Sequence, residues 1–241
     1  MDSAAPLFAG WKETMVWTCL QGHMGSVATD GCTPPESALC AVGDFCFLAG
    51  KPDPELARQA DRPILVPRTP DWEPVLRSVF SEKPSPFTRY AMEGPEAFDR
   101  ERLAAYAAAL PEGYALSPIL PQHYPVLMGQ AWSKDLCGNF RDGDDFVRRG
   151  LGVIALQDGI PVAGASSYTI HDGGVEIEID TRPDQRRKGL ALSCGARLIL
   201  DCLDRGLVPS WDAHNLPSVA LAEKLGYRLR APYQAYLLNL Y

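Results

Sequence analysis

No stretch of this chain approaches the roughly 20 consecutive apolar residues that a bilayer-spanning helix requires, so no membrane partner is expected. Positive charge is also in short supply. Lys and Arg number 23 against 30 Asp and Glu, a net charge of −7, whereas a protein that grips nucleic-acid phosphates needs the opposite balance. Nucleic acid is therefore not an expected partner. The seven cysteines, Cys19, Cys32, Cys40, Cys46, Cys137, Cys194 and Cys202, include no Cys-x-x-Cys pair. Zinc sites show such close ligand pairs and secreted frameworks show even counts, so neither a metal site nor a disulfide scaffold is expected. Reduced thiols filling space as small apolar residues are the plainer reading. Cys40 and Cys46 fall on one expected strand and Cys194 and Cys202 on one expected helix, each pair on one face. No Walker loop or nucleophile elbow is present. Residues 1–6 lack the basic start and apolar run of a secretory signal, and a cytoplasmic protein is the expectation.

What the chain does have is enough apolar residue to bury a full core. At 241 residues, 46% hydrophobic and 22% charged, it has room for one large or two modest domains of roughly 150 residues or fewer. The N-terminal half reads as mixed α/β: helices over 13–24, 54–59, 72–80 and 98–110, and strands over 39–48, 64–66 and 88–92, with a Gly/Pro/Ser/Thr-rich loop over 25–37. Pro111-Glu112-Gly113 breaks the pattern, giving expected domains 1–112 and 113–241. The second half has a clearer rhythm. Strands are expected over 114–120, 151–156, 162–170, 175–180, 207–211, 228–230 and 235–240, and helices over 121–132, 144–149, 190–203 and 216–225. Gly206 and Gly226 sit where helix C-terminal caps belong, and Asn215 where an N-cap belongs.

One segment carries chemistry. Residues 175–180, Val-Glu-Ile-Glu-Ile-Asp, alternate apolar and charged positions and lead through a turn into the helix at Leu190. A helix start presents unpaired N–H groups and the positive end of the dipole, a setting that favours a bound phosphate. Gly189 removes a side chain where a ligand would approach the backbone. Arg182, Arg186, Arg187 and Lys188 place four positive charges beside it on an otherwise acidic chain. Solvated basic residues would be the alternative, but they oppose the helix dipole there, and an anionic partner accounts for them better.

These residues carry a family resemblance. Arg186-x-x-Gly189-x-Ala191 after the 175–182 segment resembles the acyl-CoA motif of the GCN5-related N-acetyltransferases (GNAT). Asn215-x-x-Ser218-x-x-Leu221-Ala222-x-Lys224-x-Gly226-Tyr227 resembles the second half of that family's pattern. The likeness covers roughly residues 113–241, and the whole chain resembles a bacterial two-domain subgroup. It implies a mixed α/β (α+β) GNAT fold in the C-terminal half, with a sheet that splays between the strand before the turn and the strand ending near Trp211. The N-terminal α/β lobe would then be a degenerate half-copy of that fold, a plain structural lobe or a homodimer surface. Trp11, Trp17, His23 and the Phe45/Phe47 strand are its candidates for lining an acceptor pocket.

The resemblance also implies acetyl-CoA as cosubstrate. Its pantetheine arm would meet the backbone of Ile179, Asp180 and Thr181. Its pyrophosphate would take the N–H groups of about Arg187, Lys188, Gly189, Leu190, Ala191 and Leu192, and Asn215 and Ser218 would lie toward the thioester. The family transfers an acyl group directly to an amine, which needs a base for the amine and a route for the thiolate. Glu176, Glu178 and Asp180 project from one face of their strand, and one of the two glutamates is the expected base; exposed polar residues on a half-buried strand would show the same pattern. Many relatives carry a Tyr where this chain has Ala222, so Tyr227, Tyr233, Tyr236 or Ser218 would have to serve as acid, or none is needed. Asp212 and His214 would share a face if their strand continued that far, most simply as a satisfied pair. The acceptor is expected to be a small-molecule amine such as an amino acid, polyamine or aminated antibiotic, contacted from residues 121–149. A silent acyl-CoA-binding module and a protein acetyltransferase are the competing readings.

Overall fold

The structure, a computed structural model, describes residues 3–238. These residues form two compact units, one of residues 3–89 with 232–238 and the other of residues 90–231. This division differs from the expected break at 112/113. The helix that follows residue 98 packs with the second unit, because its Leu103 is buried in that unit's core.

The first unit is a small α/β layer. Helix α1 (Thr14–Leu20) precedes β1 (Ser26–Thr29), β2 (Ser37–Val42) and β3 (Phe45–Gly50); α2 (Pro54–Ala57) then crosses to β4 (Ile64–Pro67), and α3 (Trp72–Val79) follows. β1, β2 and β3 pair antiparallel, and β3 and β4 pair parallel through the α2 crossover. Leu39, Ala41, Cys46, Leu48, Leu65, Trp72 and Leu76 fill one core. The expected single strand over 39–48 is a hairpin, because Gly43 takes a positive φ of 54° and turns the chain. Cys40 and Cys46 therefore do not share a face: Cys46 lies opposite Ala41, and Cys40 lies opposite Phe47. Part of the expected 25–37 loop is strand β1.

The second unit holds β5 from Tyr90 onward (β5 spans Ser85–Glu93), α4 (Arg100–Ala108), β6 (Tyr114–Pro118), α5 (Tyr124–Met128), α6 (Gly143–Arg149), β7 (Gly152–Gln157), β8 (Ile160–His171), β9 (Gly174–Thr181), α7 (Leu190–Asp204), β10 (Val208–Ser210), β11 (Asp212–Ala213), α8 (Leu216–Leu225) and the start of β12 (Arg228–Leu237). The expected helix over 121–132 is only a 3-10 turn and α5, halted at Gly129. The strands expected over 228–230 and 235–240 are the single strand β12, with residues 239–240 outside the described residues. Five strands form one sheet in the order β10-β9-β8-β7-β6, antiparallel except for the β10–β9 pair. Helix starts are set by side-chain caps: Asp99 accepts from Arg102 N at 2.9 Å, Asp142 from Asp145 N at 2.7 Å and Asn215 from Ser218 N at 3.0 Å.

Helix α7 is the centre of this core. Leu190, Cys194, Leu198, Ile199 and Cys202 are buried against Val175 and Ile177. Leu190, rather than the half-buried Ala191, opens that stripe. At Gly195 the helix approaches so closely that an added Cβ would lie 2.9 Å from both Ile179 Cδ1 and Leu225 Cδ1. Burial pushes the Cys194 and Cys202 thiols up to about 12, so both stay protonated space-fillers.

Candidate active site

The alternation of β9 sorts its side chains by face. Val175, Ile177 and Ile179 pack toward α7, while Glu176, Glu178 and Asp180 project the other way. That other face is not a solvent face. The segment around the 3-10 turn Lys134–Leu136 covers it: Ser166 Oγ donates to Leu136 O at 2.6 Å, and Asn139 Nδ2 donates to Tyr168 O at 3.0 Å. Glu176 is 4% exposed and Glu178 half-buried. Asp180 is raised above the usual carboxylate range by burial, against the Thr181 N–H (2.7 Å) and the nearby Arg186. Solvated glutamates are thus not what the fold makes of this pattern at Glu176.

β9 is also the strand at which the sheet opens. Its parallel ladder with β10 runs from Val208–Gly174 to Ser210–Glu176 and ends there. Beyond Ser210 the chain swings away at Trp211, whose carbonyl accepts from Met92 N at 3.3 Å, and β11 pairs with Tyr90 and Ala91 of β5. The strand expected over 207–211 is β10, and the separate strand β11 follows it on a different neighbour. Residues 177–181 of β9 keep β8 on one side and, among the described residues, have no strand on the other. The splay expected near Trp211 is present.

The turn after β9 is held rigidly. Residues Pro183–Gln185 form a 3-10 turn, and Arg182 is tied to Asp184 by two bonds of 2.7 and 2.9 Å. Arg186 Nε donates to Thr181 O at 3.2 Å. Lys188 Nζ donates to Gln185 Oε1 at 2.7 Å and to Tyr114 Oη at 3.1 Å, and Tyr114 Oη donates to the same Gln185 oxygen at 2.6 Å. Of the four basic residues, Arg187 alone bonds to no described side chain. Its φ of 67° is left-handed, a conformation that costs a non-glycine residue about 1–2 kcal/mol. Gly189, at φ 83°, is the N-cap of α7, and a Cβ there would meet nothing within 4 Å. The first bond of the helix ladder runs from Ser193 N to Gly189 O at 3.1 Å. The N–H groups of Leu190, Ala191 and Leu192 thus precede the ladder, and no side chain caps them.

The remaining expected residues are placed as follows. Asn215 caps α8, and Ser218 Oγ accepts from Trp211 Nε1 at 3.2 Å. Ala222 is fully buried and offers no proton. Tyr227 is core: its hydroxyl donates to Pro209 O at 3.0 Å, and burial first, with the charges of Cys202 and Glu176, raises it well above its usual range. β11 ends at Ala213, so Asp212 and His214 do not share a strand face. Tyr114, Gln185 and Asn139 carry no functional signal in the sequence. Their partners lie far along the chain, and no local pattern signals them.

A strand–turn–helix with an uncapped, glycine-opened helix start, beside a sheet that splays at the same strand, defines the acetyltransferase class of α/β fold. The chain belongs to the GNAT acetyltransferase family, whose model matches residues 5–236. It is 26% identical over 195 residues to the uncharacterized N-acetyltransferase YdfB of Bacillus subtilis (strain 168), covering 79% of this chain and 71% of that protein. Its fold matches the crystal structure of a GCN5-related N-acetyltransferase-like protein from Streptococcus suis 89/1591 with a TM-score of 0.94 at 44% identity, covering 98% of this chain and 97% of the other. A GCN5-related N-acetyltransferase from Kribbella flavida, 16% identical with a TM-score of 0.56 over 94% of this chain and 95% of its own, shares the fold. The protein is accordingly an acetyltransferase enzyme. No helix among the described residues is long and apolar enough to cross a membrane.

Proposed function

We propose that this protein transfers the acetyl group of acetyl-CoA to the amine of a small molecule, by direct transfer with Glu176 as the general base. The observation that carries this reading is the buried Glu176 carboxylate, set where the β9–β10 ladder ends and the open edge of β9 begins. An extended pantetheine arm is chemically matched to such an edge, since its two amides need strand-like partners among residues 177–181. A pyrophosphate matches the uncapped N–H groups of Leu190 to Leu192, the glycine that leaves their approach open, and the adjacent Arg187. The thioester, at the end of the pantetheine arm away from the pyrophosphate, then lies toward Glu176.

In this reading the acceptor amine loses a proton toward Glu176 and attacks the thioester carbonyl. The N–C bond forms, the C–S bond breaks, and the thiolate of coenzyme A leaves with the electron pair. No acid is assigned. Ala222 has no proton, and Tyr227 holds its own on the Pro209 carbonyl; a thiolate is a tolerable leaving group without one. Glu178, two residues along the same face, is the alternative base. The test is release of free thiol from acetyl-CoA with a panel of amines, for wild type, Glu176→Gln and Glu178→Gln. Amine-dependent release that collapses in Glu176→Gln supports the reading, and release that survives both substitutions rejects the base.

A further inference from the structure

Strand β8 carries four hydroxyls close together, and those of Ser166 and Ser167 have structural partners. Ser166 Oγ donates to Leu136 O, and Ser167 Oγ exchanges bonds with the Leu151 backbone at 2.7 and 3.0 Å. The Tyr168 backbone is pinned by Asn139. Thr169 differs. It is 0% exposed, and its hydroxyl bonds to no described residue. A buried hydroxyl left without a partner costs stability, and such groups mark places where a fold holds something for function.

The register shows where that hydroxyl points. Ser167 lies opposite Ile177, and Thr169 lies opposite Glu176, so Tyr168 is an extra residue, a β-bulge. Without the bulge Thr169 would face Val175 and the apolar core under α7. The inserted residue turns it onto the carboxylate face instead, directly across the strand from Glu176. Ser210 occupies the corresponding position on the other side of Glu176, in register on β10. A carboxylate thus sits between two hydroxyl positions in one row across three strands. Directly opposed side chains have Cβ atoms roughly 4.5–5.5 Å apart. That spacing suits a water shared between Thr169 Oγ1 and a Glu176 oxygen, and such a water has the polar partners it needs.

We propose that Thr169 is a positioning residue of the acetyl-transfer site, its hydroxyl holding the water through which Glu176 receives the acceptor's proton. This rests on the reading of Glu176 as base. The amine passes its proton to the water oxygen as that water gives one of its own to the carboxylate; the N–C bond forms, the thioester C–S bond breaks, and the electron pair departs on sulfur.

The test combines crystallography, stability and kinetics on the full chain. A high-resolution structure of the wild type is expected to show an ordered water bonded to both Thr169 Oγ1 and Glu176, lost in Thr169→Val and retained in Thr169→Ser. The isosteric Thr169→Val removes a hydroxyl that bonds only to that water, so it should melt near the wild-type temperature, whereas loss of a hydrogen bond tying two parts of the fold together would lower it. With acetyl-CoA and a panel of ethylamine, spermidine and lysine, its kcat for thiol release should fall by at least about tenfold with the KM for acetyl-CoA unchanged, and Thr169→Ser should restore most of it. A wild-type structure with no bridging water, or Thr169→Val with wild-type kcat, overturns the proposal. If Glu176→Gln is inactive while Thr169→Val is unimpaired, only the role of Thr169 falls. If Glu176→Gln itself retains full activity, the base assignment falls first.

Discussion

Replacing Gly189 by Glu separates folding from cosubstrate binding. Gly189 adopts φ 83° at the N-cap of α7, where an L residue is strained by about 1–2 kcal/mol. Nothing lies within 4 Å of the Cβ position, so steric overlap adds no further cost. A carboxylate at a helix N-terminus regains about 0.3–1 kcal/mol from the dipole. The net penalty is then about 1 kcal/mol, or about 2–4 °C in Tm for a chain of this size. Binding should respond far more. The new side chain and its charge stand in front of the N–H groups that precede the helix ladder. Loss of one or two charge-assisted hydrogen bonds, each about 1.5–3 kcal/mol, removes about 3 kcal/mol, and affinity falls by more than about 100-fold. Calorimetric titration with acetyl-CoA beside a thermal melt reads both quantities. A folded Gly189→Glu protein that binds acetyl-CoA within about threefold of wild type would refute this placement of the pyrophosphate.

Three further outcomes are expected. Glu176→Gln should lower kcat/KM for thiol release by about 100-fold or more with the affinity for acetyl-CoA unchanged, and Glu178→Gln should lower it by less than about tenfold; the reverse order would move the base to Glu178. Asp145 accepts from Arg149 at 2.9 and 2.7 Å and from the Arg141 N–H at 3.3 Å, and the Arg149 bonds hold its carboxyl well below the usual range. Its folded value is depressed, so its contribution to stability is complete above about pH 4 and declines as pH falls toward the folded value. Melts at neutral pH should place Asp145→Asn below wild type by about 1–3 kcal/mol, and the gap should narrow on acidification; a gap independent of pH would contradict the ion-pair account. Of the seven cysteines only Cys32 is exposed, and the charge of Asp30 raises its pKa. The native protein should therefore take up one equivalent of maleimide slowly and the denatured protein seven, and rapid native labelling of several thiols would conflict with the buried positions.

Much of the site was legible because its signals are local. The alternation of residues 175–180 is the imprint of one face on α7 and one under the segment at 134–140. Gly189, Asn215 and Gly226 were legible because left-handed φ values and side-chain caps need those residue types. What stayed hidden depends on partners. β2 is buried at every position and β3 at all but one, so no alternation marks the hairpin at Gly43, and a single strand would put Cys40 and Cys46 on one face. β11 lay beyond the expected strand over 207–211, because it forms only by pairing with β5 after β10 leaves β9. The expected domain break followed a Pro-Gly signal at 111–113, yet Leu103 and the Tyr106 carbonyl, which accepts from Ser193 Oγ at 2.9 Å, tie α4 to α7. The bulge at Tyr168 exists only in register with β9, so the face of Thr169 was unreadable without it.

A crystal structure of the protein with coenzyme A tests the central claim most directly. The account predicts the pyrophosphate on the N–H groups between Arg187 and Leu192, the pantetheine arm along residues 177–181 of β9, and the thiol beside the face that carries Glu176. Coenzyme A bound elsewhere, or bound here with its thiol directed away from Glu176, would contradict it.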